Sequence, residues 1–297
     1  MTPQLAFLIG LFIVIVALVL TRKQWAPAVL HAVPSIWRIA KITVAEARRR
    51  RVIQAVVILV VLILISMTFF SYLSPQEQSR MLISGGLAAI TVFGFLLAIF
   101  VAAFLIPQEL ENRTVYAILA KPVRRFEFVL GKYVGALIIL AAIVVTMTVV
   151  LVGVLLLQDK LVQDLPDSAF DPNIGGVVFA AVMSYFAIAV LTALIVLIST
   201  VASTTMTIIS AFIIWAVGSL QSTISDLAAH AELPVTKALL TIVYIVVPKL
   251  ENFDFRHEVS NFIPVSYMAA WNPLLQGIGY VAVVMILASV FFNDRQV

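Results

Sequence analysis

Long apolar runs without charge alternate along this chain with shorter segments that hold the charged residues. A helix that crosses a bilayer needs about 20 mostly apolar residues. Five of the six runs have room for one such helix each, and the run 172–225, with 54 residues, has room for two. The pattern therefore predicts seven membrane-spanning helices. The runs free of Asp, Glu, Lys and Arg are 1–21, 52–76, 81–108, 133–158, 172–225 and 259–293.

Composition and the placement of charge agree with a membrane protein. Hydrophobic residues make up 63% of the chain and charged residues 11%, whereas soluble domains carry about 25% charged residues. Seven helices would put fourteen of the nineteen Lys and Arg on one side, in 22–51, 107–132 and the C-terminal tail. Since cytoplasmic loops are enriched in Lys and Arg, we predict a multi-pass protein of the cell (inner) membrane with a cytoplasmic C-terminus and an external N-terminus. The net charge of +4 then indicates contact with anionic lipids, not with nucleic acid.

The first predicted span, Leu5–Leu20, has the charge order of a retained anchor. No basic residue precedes it, and Arg22 and Lys23 follow it, which is the reverse of a cleaved secretory signal. We therefore expect residues 1–34 to form an extra transmembrane anchor and a linker.

An amphipathic helix is predicted at Ser35–Arg51, with Ser35 as a candidate N-cap. Its apolar and basic residues fall on opposite arcs, a pattern typical of a helix that lies in the membrane interface with its apolar side in the acyl chains. A simple basic stop before the span Val52–Tyr72 fits the charges equally well. The apolar arc comprises Ile36, Ile39, Ala40, Val44 and Ala47, and the basic arc Arg38, Lys41 and Arg48.

Residues 108–132 separate two predicted spans with eight charged residues, more than a polar turn needs. A helix is predicted at about Pro107–Ala120, because proline is tolerated in a first turn and Glu109 and Glu111 suit the positive end of the helix dipole. Pro122 ends the helix, since the residue before a proline avoids the α region. Such a segment needs a partner.

Candidate catalytic chemistry is sparse. The chain has no cysteine, and the carboxylates of the loop 158–173 lack the spacing of a calcium loop. Gly131-Lys132 looks like the end of a phosphate loop, but the other glycine and the Ser/Thr of that motif are missing. We therefore expect neither a metal nor a nucleotide site. The three histidines, far apart in connectors, are His31, His230 and His257.

The predicted spans hold no charge in mid-membrane, whereas ion-driven transporters commonly do. The energy for any transport must then come from outside the chain. Ser and Thr in the spans are interpreted as helix-packing groups: Ser184, Thr192, Ser199, Thr207 and Ser210. The apolar stretch Leu233–Pro248 is too short to span and predicts a re-entrant or interfacial helix on the external side.

The order of these elements resembles the permease subunit of type-2 ABC transporters (the ABC-2-type exporter permeases). Their first cytoplasmic loop typically reads Glu, a few residues, Thr, then Leu-Ala-x-Pro-x-Arg and Gly-Lys. The stretch 247–254, Val-Pro-Lys-Leu-Glu-Asn-Phe-Asp, also looks like a segment that precedes the last span in many members. The loop pattern is matched by Glu111, Thr114, Leu119, Ala120, Pro122, Arg124 or Arg125, Gly131 and Lys132.

The resemblance implies a six-span permease domain at 35–297, an all-α membrane fold with seven spans when the N-terminal anchor is added, and a coupling helix within 108–132. In that family the coupling helix docks on a separate cytoplasmic ATPase, which binds ATP and magnesium, and two permeases form a homo- or heterodimer. The stretch Leu233–Pro248 would help to form an external gate. The residues expected to face the ATPase are Glu109, Glu111, Arg113, Thr114 and Tyr116; those expected to anchor the loop at the lipid surface are Lys121, Pro122, Arg124 and Arg125.

These expectations lead to one hypothesis and two alternatives. The hypothesis is a permease subunit of an ATP-driven exporter that moves a substrate, or transmits force, across the membrane. It is not itself an enzyme and binds no cofactor of its own. A membrane-embedded enzyme acting on lipids would have to use the acidic loop 158–173 with His230 and His257. A secondary transporter or an assembly factor is the remaining alternative.

Overall fold

The described residues of the chain are mostly helical. The computed structural model describes residues 26–49, 51–66, 75–105, 107, 124–162, 173–230, 235–236, 243, 247–264 and 267–294. No strand occurs among them, so the predicted all-α fold is confirmed. The helices are α1 Ala26–Arg48, α2 Arg51–Ser66, α3 Pro75–Leu105, α4 Arg125–Val162, α5 Ile174–Ser199, α6 Thr204–Ser219, α7 Gln221–His230, α8 Arg256–Ser260 and α9 Trp271–Asp294, with 3-10 turns at Leu250–Phe253 and Tyr267–Ala270.

Four of the described helices are long and apolar enough to cross a membrane, in α3, α4, α5 and α9. A fifth crossing arises if α6 and α7, which meet at a bend of 70°, count as one broken span. The described part of α2 has 16 residues, and its predicted continuation to Tyr72 lies outside the described residues, as does the predicted first span Leu5–Leu20.

Helix α5 lies at the centre of the bundle and contacts α3, α4, α6 and α9. Its apolar window is 72% buried, against 28% for that of α9. The sequence of α5 explains this position, because it is rich in alanine along its length and small residues let neighbouring helices approach closely. Gly94 of α3 makes room in the same way for Ile188 of α5.

Two tyrosines fix the register of the antiparallel pair α4 and α5. The Tyr133 hydroxyl donates to the Ala189 carbonyl of α5 at 3.2 Å, and the Tyr185 hydroxyl donates to the Leu137 carbonyl of α4 at 3.2 Å. A further interhelical hydrogen bond joins Thr91 and Ser184, whose hydroxyl oxygens are 3.0 Å apart. Thr192 and Thr207 instead donate to carbonyls of their own helices.

The first described helix differs from its prediction at both ends. It begins at Ala26 and continues through Pro34, so Ser35 is not an N-cap. It ends at Arg48, and α2 begins at Arg51, so the helix ends at the first arginine of the run and not at the last. The Gln54 side chain donates to the Arg48 carbonyl at 3.2 Å, which satisfies one of the free carbonyls at that helix end.

The apolar arc of α1 packs on protein. Ile39, Ala40 and Ala47 are buried, and α1 makes its most extensive packing contact with α4. The prediction that this arc faces acyl chains is therefore wrong for Ile39, Ala40 and Ala47. The neighbour that covers it lies about 90 residues further along the chain, which the helical periodicity of α1 does not show.

The bend between α6 and α7 was not predicted. The chain turns at Leu220 and continues as the helix Gln221–His230 in place of a polar connector. Most of Leu233–Pro248 lies outside the described residues, so the predicted re-entrant helix there stays a prediction.

Candidate functional site

Only the last part of the charged segment 108–132 is described, from Arg124 into α4. The Arg124 carbonyl accepts hydrogen bonds from the backbone N–H groups of Glu127 and Phe128 at 3.0 and 3.3 Å, and the Arg124 side chain is exposed. Glu127 is buried in the first turn of α4, where a carboxylate is favoured by the positive end of the helix dipole. The charged segment therefore enters α4 through a regular helix start.

The first turn of α4 is attached to the last turn of α9. Arg125 Nη1 donates to the Phe292 carbonyl oxygen at 3.4 Å, and the rings of Phe128 and Phe292 stack with centroids 5.5 Å apart. The last carbonyls of a helix lack partners within that helix, and a cation is favoured at this negative end. The two contacts therefore connect the start of α4 to the end of α9.

Two glycines of α4 bring α1 unusually close. A Cβ atom at Gly131 would lie 2.7 Å from Ile39 Cβ and 3.1 Å from the Ile36 carbonyl oxygen. At Gly135 it would lie 2.6 Å from Thr43 Cβ. Glycines four residues apart lie on one face of a helix and permit this kind of close helix crossing within membranes. Because residue numbers rise together along the two helices, α1 and α4 run in the same direction where they touch.

Lys132, between these glycines, is buried with 1% of its side chain exposed. Its Nζ lies 3.9 Å from Glu46 Oε2 of α1 and 5.8 Å from the centroid of the Phe128 ring. A buried cation is tolerated only where opposite charge or polar groups compensate it. Glu46 remains 44% exposed, so the ion pair joins a buried cation to a carboxylate at the surface of the bundle.

We call residues 124–135 the anchor segment. It joins the exit of the charged segment to α1 through Gly131, Lys132 and Gly135, and to α9 through Arg125 and Phe128. The helix that begins after Arg124 is therefore in contact with two other helices near its start.

A second group of polar contacts lies at the opposite end of the bundle, at the bend between α6 and α7. The Glu251 carboxylate accepts from the backbone N–H and the hydroxyl of Ser222, each at 3.1 Å. Gln221 donates to the Val247 carbonyl, and Gly218 leaves room for Leu250. A carboxylate on the first free N–H groups of a helix stabilises its start. The stretch 247–254 thus holds the bend from outside the two helices.

The family model described as ABC-2 family transporter protein matches residues 37–297. The chain belongs to the ABC-2 transporter family. It is accordingly a multi-pass membrane protein and a permease subunit of an ABC transporter. Comparison with curated proteins finds no match. The matched region begins inside α1 and includes all the other described helices.

Few of the predicted site residues lie in the described part of the ABC-2 permease. Seven of the nine lie outside the described residues: Glu109, Glu111, Arg113, Thr114, Tyr116, Lys121 and Pro122. Of the predicted loop anchors, Arg124 is exposed and Arg125 contacts the carbonyl of Phe292. Arg125 was predicted to anchor the loop at the lipid surface, so its contact with α9 was not expected.

The anchor segment and its contact with α1 include residues whose role the sequence did not indicate. Glu46 had no predicted role, and Gly131 and Lys132 matched only a family pattern. The spacing of Gly131 and Gly135 within an apolar helix was the available signal for close packing. The pairing of Lys132 with Glu46 had no signal in the sequence, because the two residues are 86 positions apart.

The residues on which a lipid-modifying enzyme would depend do not form a site where the structure describes them. His230 Nδ1 lies 2.8 Å from the Asp226 carbonyl oxygen, and His257 Nδ1 lies 3.1 Å from Asn261 Nδ2, both within their own helical turns. No group of three potential metal ligands occurs among the described residues. The loop 158–173 falls mostly outside them.

Proposed function

We propose that this ABC-2 permease drives export with an ABC ATPase that docks on residues 108–123. The anchor segment is the observation that carries the proposal. It begins where the docking segment ends, and it is attached to α1 and α9 by an ion pair, a ring stack and two glycine contacts. A displacement of the docked segment would therefore move α4 together with α1 and α9.

The test compares charge reversal at two ends of the molecule. The double variant E111K/R113E should abolish ATPase co-purification and permease-stimulated ATP hydrolysis, because it inverts the surface that faces the ATPase. The control is E77R/R80E, which reverses an exposed ion pair of 3.7 Å in the first turns of α3. If both variants retain the ATPase, or both lose it, docking on 108–123 is wrong.

The proposed orientation puts Arg124 and the C-terminus in the cytoplasm and Glu251 outside. It is supported by the positive-inside bias of the whole chain. Because the chain contains no cysteine, single-cysteine variants report sidedness without background. In intact cells an impermeant maleimide should label N252C and leave R124C unlabelled. The reverse labelling would contradict the proposed orientation.

We further propose a lipid-like or amphipathic cargo and a dimer of permeases. The buried charged side chains of the described residues, Glu127 and Lys132, both lie in the first turns of α4, so the middle of the bundle offers no charge to an ion. The outer helices α4 and α9 are only 39% and 28% buried in their apolar windows, which leaves faces for lipid or a second copy. Stimulation of ATP hydrolysis by amphipathic candidates, and the mass of the detergent-solubilised complex, test the two proposals separately.

A further inference from the structure

A cavity of about 410 Å³ opens beside α1, next to its contact with α4. Three cationic side chains line it: Lys41, Arg48 and Arg49. No carboxylate occurs among the described residues of its lining, although Glu46 belongs to the same helix. Three cations without a counter-charge favour an anionic occupant.

The other wall of the cavity is apolar. Val44 of α1 and Ile138 of α4 contribute to it, and the Trp37 side chain lies at its edge with 50% exposure. Lys41 Nζ sits 5.5 Å from the centroid of the Trp37 ring. Indole rings are enriched where a membrane meets water, so the cavity combines an anion-binding side with a side suited to hydrocarbon.

We propose that this cavity binds one phospholipid with a net negative headgroup. Its phosphate would lie among Lys41, Arg48 and Arg49, and the start of an acyl chain would lie along Val44, Ile138 and Trp37. Free inorganic phosphate would use the same cations but would leave the apolar wall without an occupant. The site lies outside the segment 108–123, so its failure and the failure of ATPase docking can be told apart.

The test measures which lipid is next to Trp37. A variant with Trp25, Trp215 and Trp271 replaced by phenylalanine leaves Trp37 as the single tryptophan, whose fluorescence is excited selectively at the red edge of the absorption band. It is placed in bilayers of equal phosphatidylglycerol and phosphatidylcholine, with bromine on the acyl chains of one lipid at a time. We expect brominated phosphatidylglycerol to quench Trp37 more strongly, because the cavity concentrates it.

Two pairs of substitutions separate a discrete site from general attraction. R48Q/R49Q removes two cations from the cavity and should reduce the preference for phosphatidylglycerol roughly thirtyfold, because each basic residue near an anionic surface contributes about 1 kcal/mol. R38Q/R51Q removes two exposed cations nearby that do not line the cavity. The control pair should keep most of the preference.

Three results would overturn the proposal: equal quenching by the two lipids in the parent variant, an equal loss in both substitution pairs, or loss of the preference when millimolar inorganic phosphate is added. If the single-tryptophan variant does not fold, native mass spectrometry of the otherwise unchanged chain gives the same comparison. Retained phosphatidylglycerol should then fall in R48Q/R49Q and persist in R38Q/R51Q.

Discussion

The close contact between α1 and α4 predicts a large difference between two alanine substitutions in the same helix. In Gly131→Ala the new Cβ would lie 2.7 Å from Ile39 Cβ and 3.1 Å from a backbone oxygen of α1, so the helices must move apart. In Gly153→Ala the new Cβ would meet nothing within 4 Å. The two variants add the same methyl group to the same element, one in a crowded place and one in an open place.

The expected magnitude follows from two opposing effects. Adding volume to a packed contact that cannot relax costs about 1–3 kcal/mol. Replacing glycine by alanine within a helix gains up to about 1 kcal/mol through helix propensity. Both effects apply at Gly131 and only the second at Gly153, so G131A should be less stable than G153A by about 1–3 kcal/mol.

Unfolding of the purified permease in mixed micelles, followed by circular dichroism as the fraction of sodium dodecyl sulfate rises, measures this difference. Gly135→Ala should behave like G131A, because its Cβ would lie 2.6 Å from Thr43 Cβ. Equal stability of G131A and G153A would refute the close contact between α1 and α4. A loss of stability in G153A alone would refute this close contact as well.

The remaining predictions concern the two charged contacts. Glu46→Gln should destabilise the permease more than Lys132→Met, because the first removes the carboxylate beside a buried cation whereas the second removes the buried cation itself. The same detergent unfolding measures both variants, and the opposite order of stability would contradict the ion pair between Lys132 and Glu46. Glu251→Gln should cost about 0.5–2 kcal/mol and speed amide exchange at Ser222, because its carboxylate holds the start of α7. Glu258→Gln, a nearby carboxylate outside that contact, is the control, and equal exchange in both variants would rule out the cap.

The sequence predicted the elements that depend on local composition. The charge-free run 172–225 predicted two helices, and the structure has helices at Ile174–Ser199 and Thr204–Ser219. Apolar length alone decides such helices, because backbone polar groups in a membrane must be satisfied within the helix. The charge pattern of 108–132 likewise led to the family to which the chain belongs.

Features set by distant parts of the chain could not be predicted. The bend at Leu220 is held by Glu251, and the surroundings of Lys132 are set by Glu46 of another helix. The continuation of α1 through Pro34 contradicts the usual effect of an interior proline. For the bend and for Lys132, the deciding contact is remote in sequence from the residue that it positions.

Site-specific crosslinking tests the docking of an ATPase most directly. A photoreactive amino acid at position 116 should crosslink, in native membranes, to a protein that carries the phosphate-loop motif of an ABC ATPase. The same group at position 252, at the opposite end of the bundle, should give no such product. A crosslink to an ATPase from position 252, or none from position 116 while ATP-driven transport continues, would contradict the proposed coupling segment.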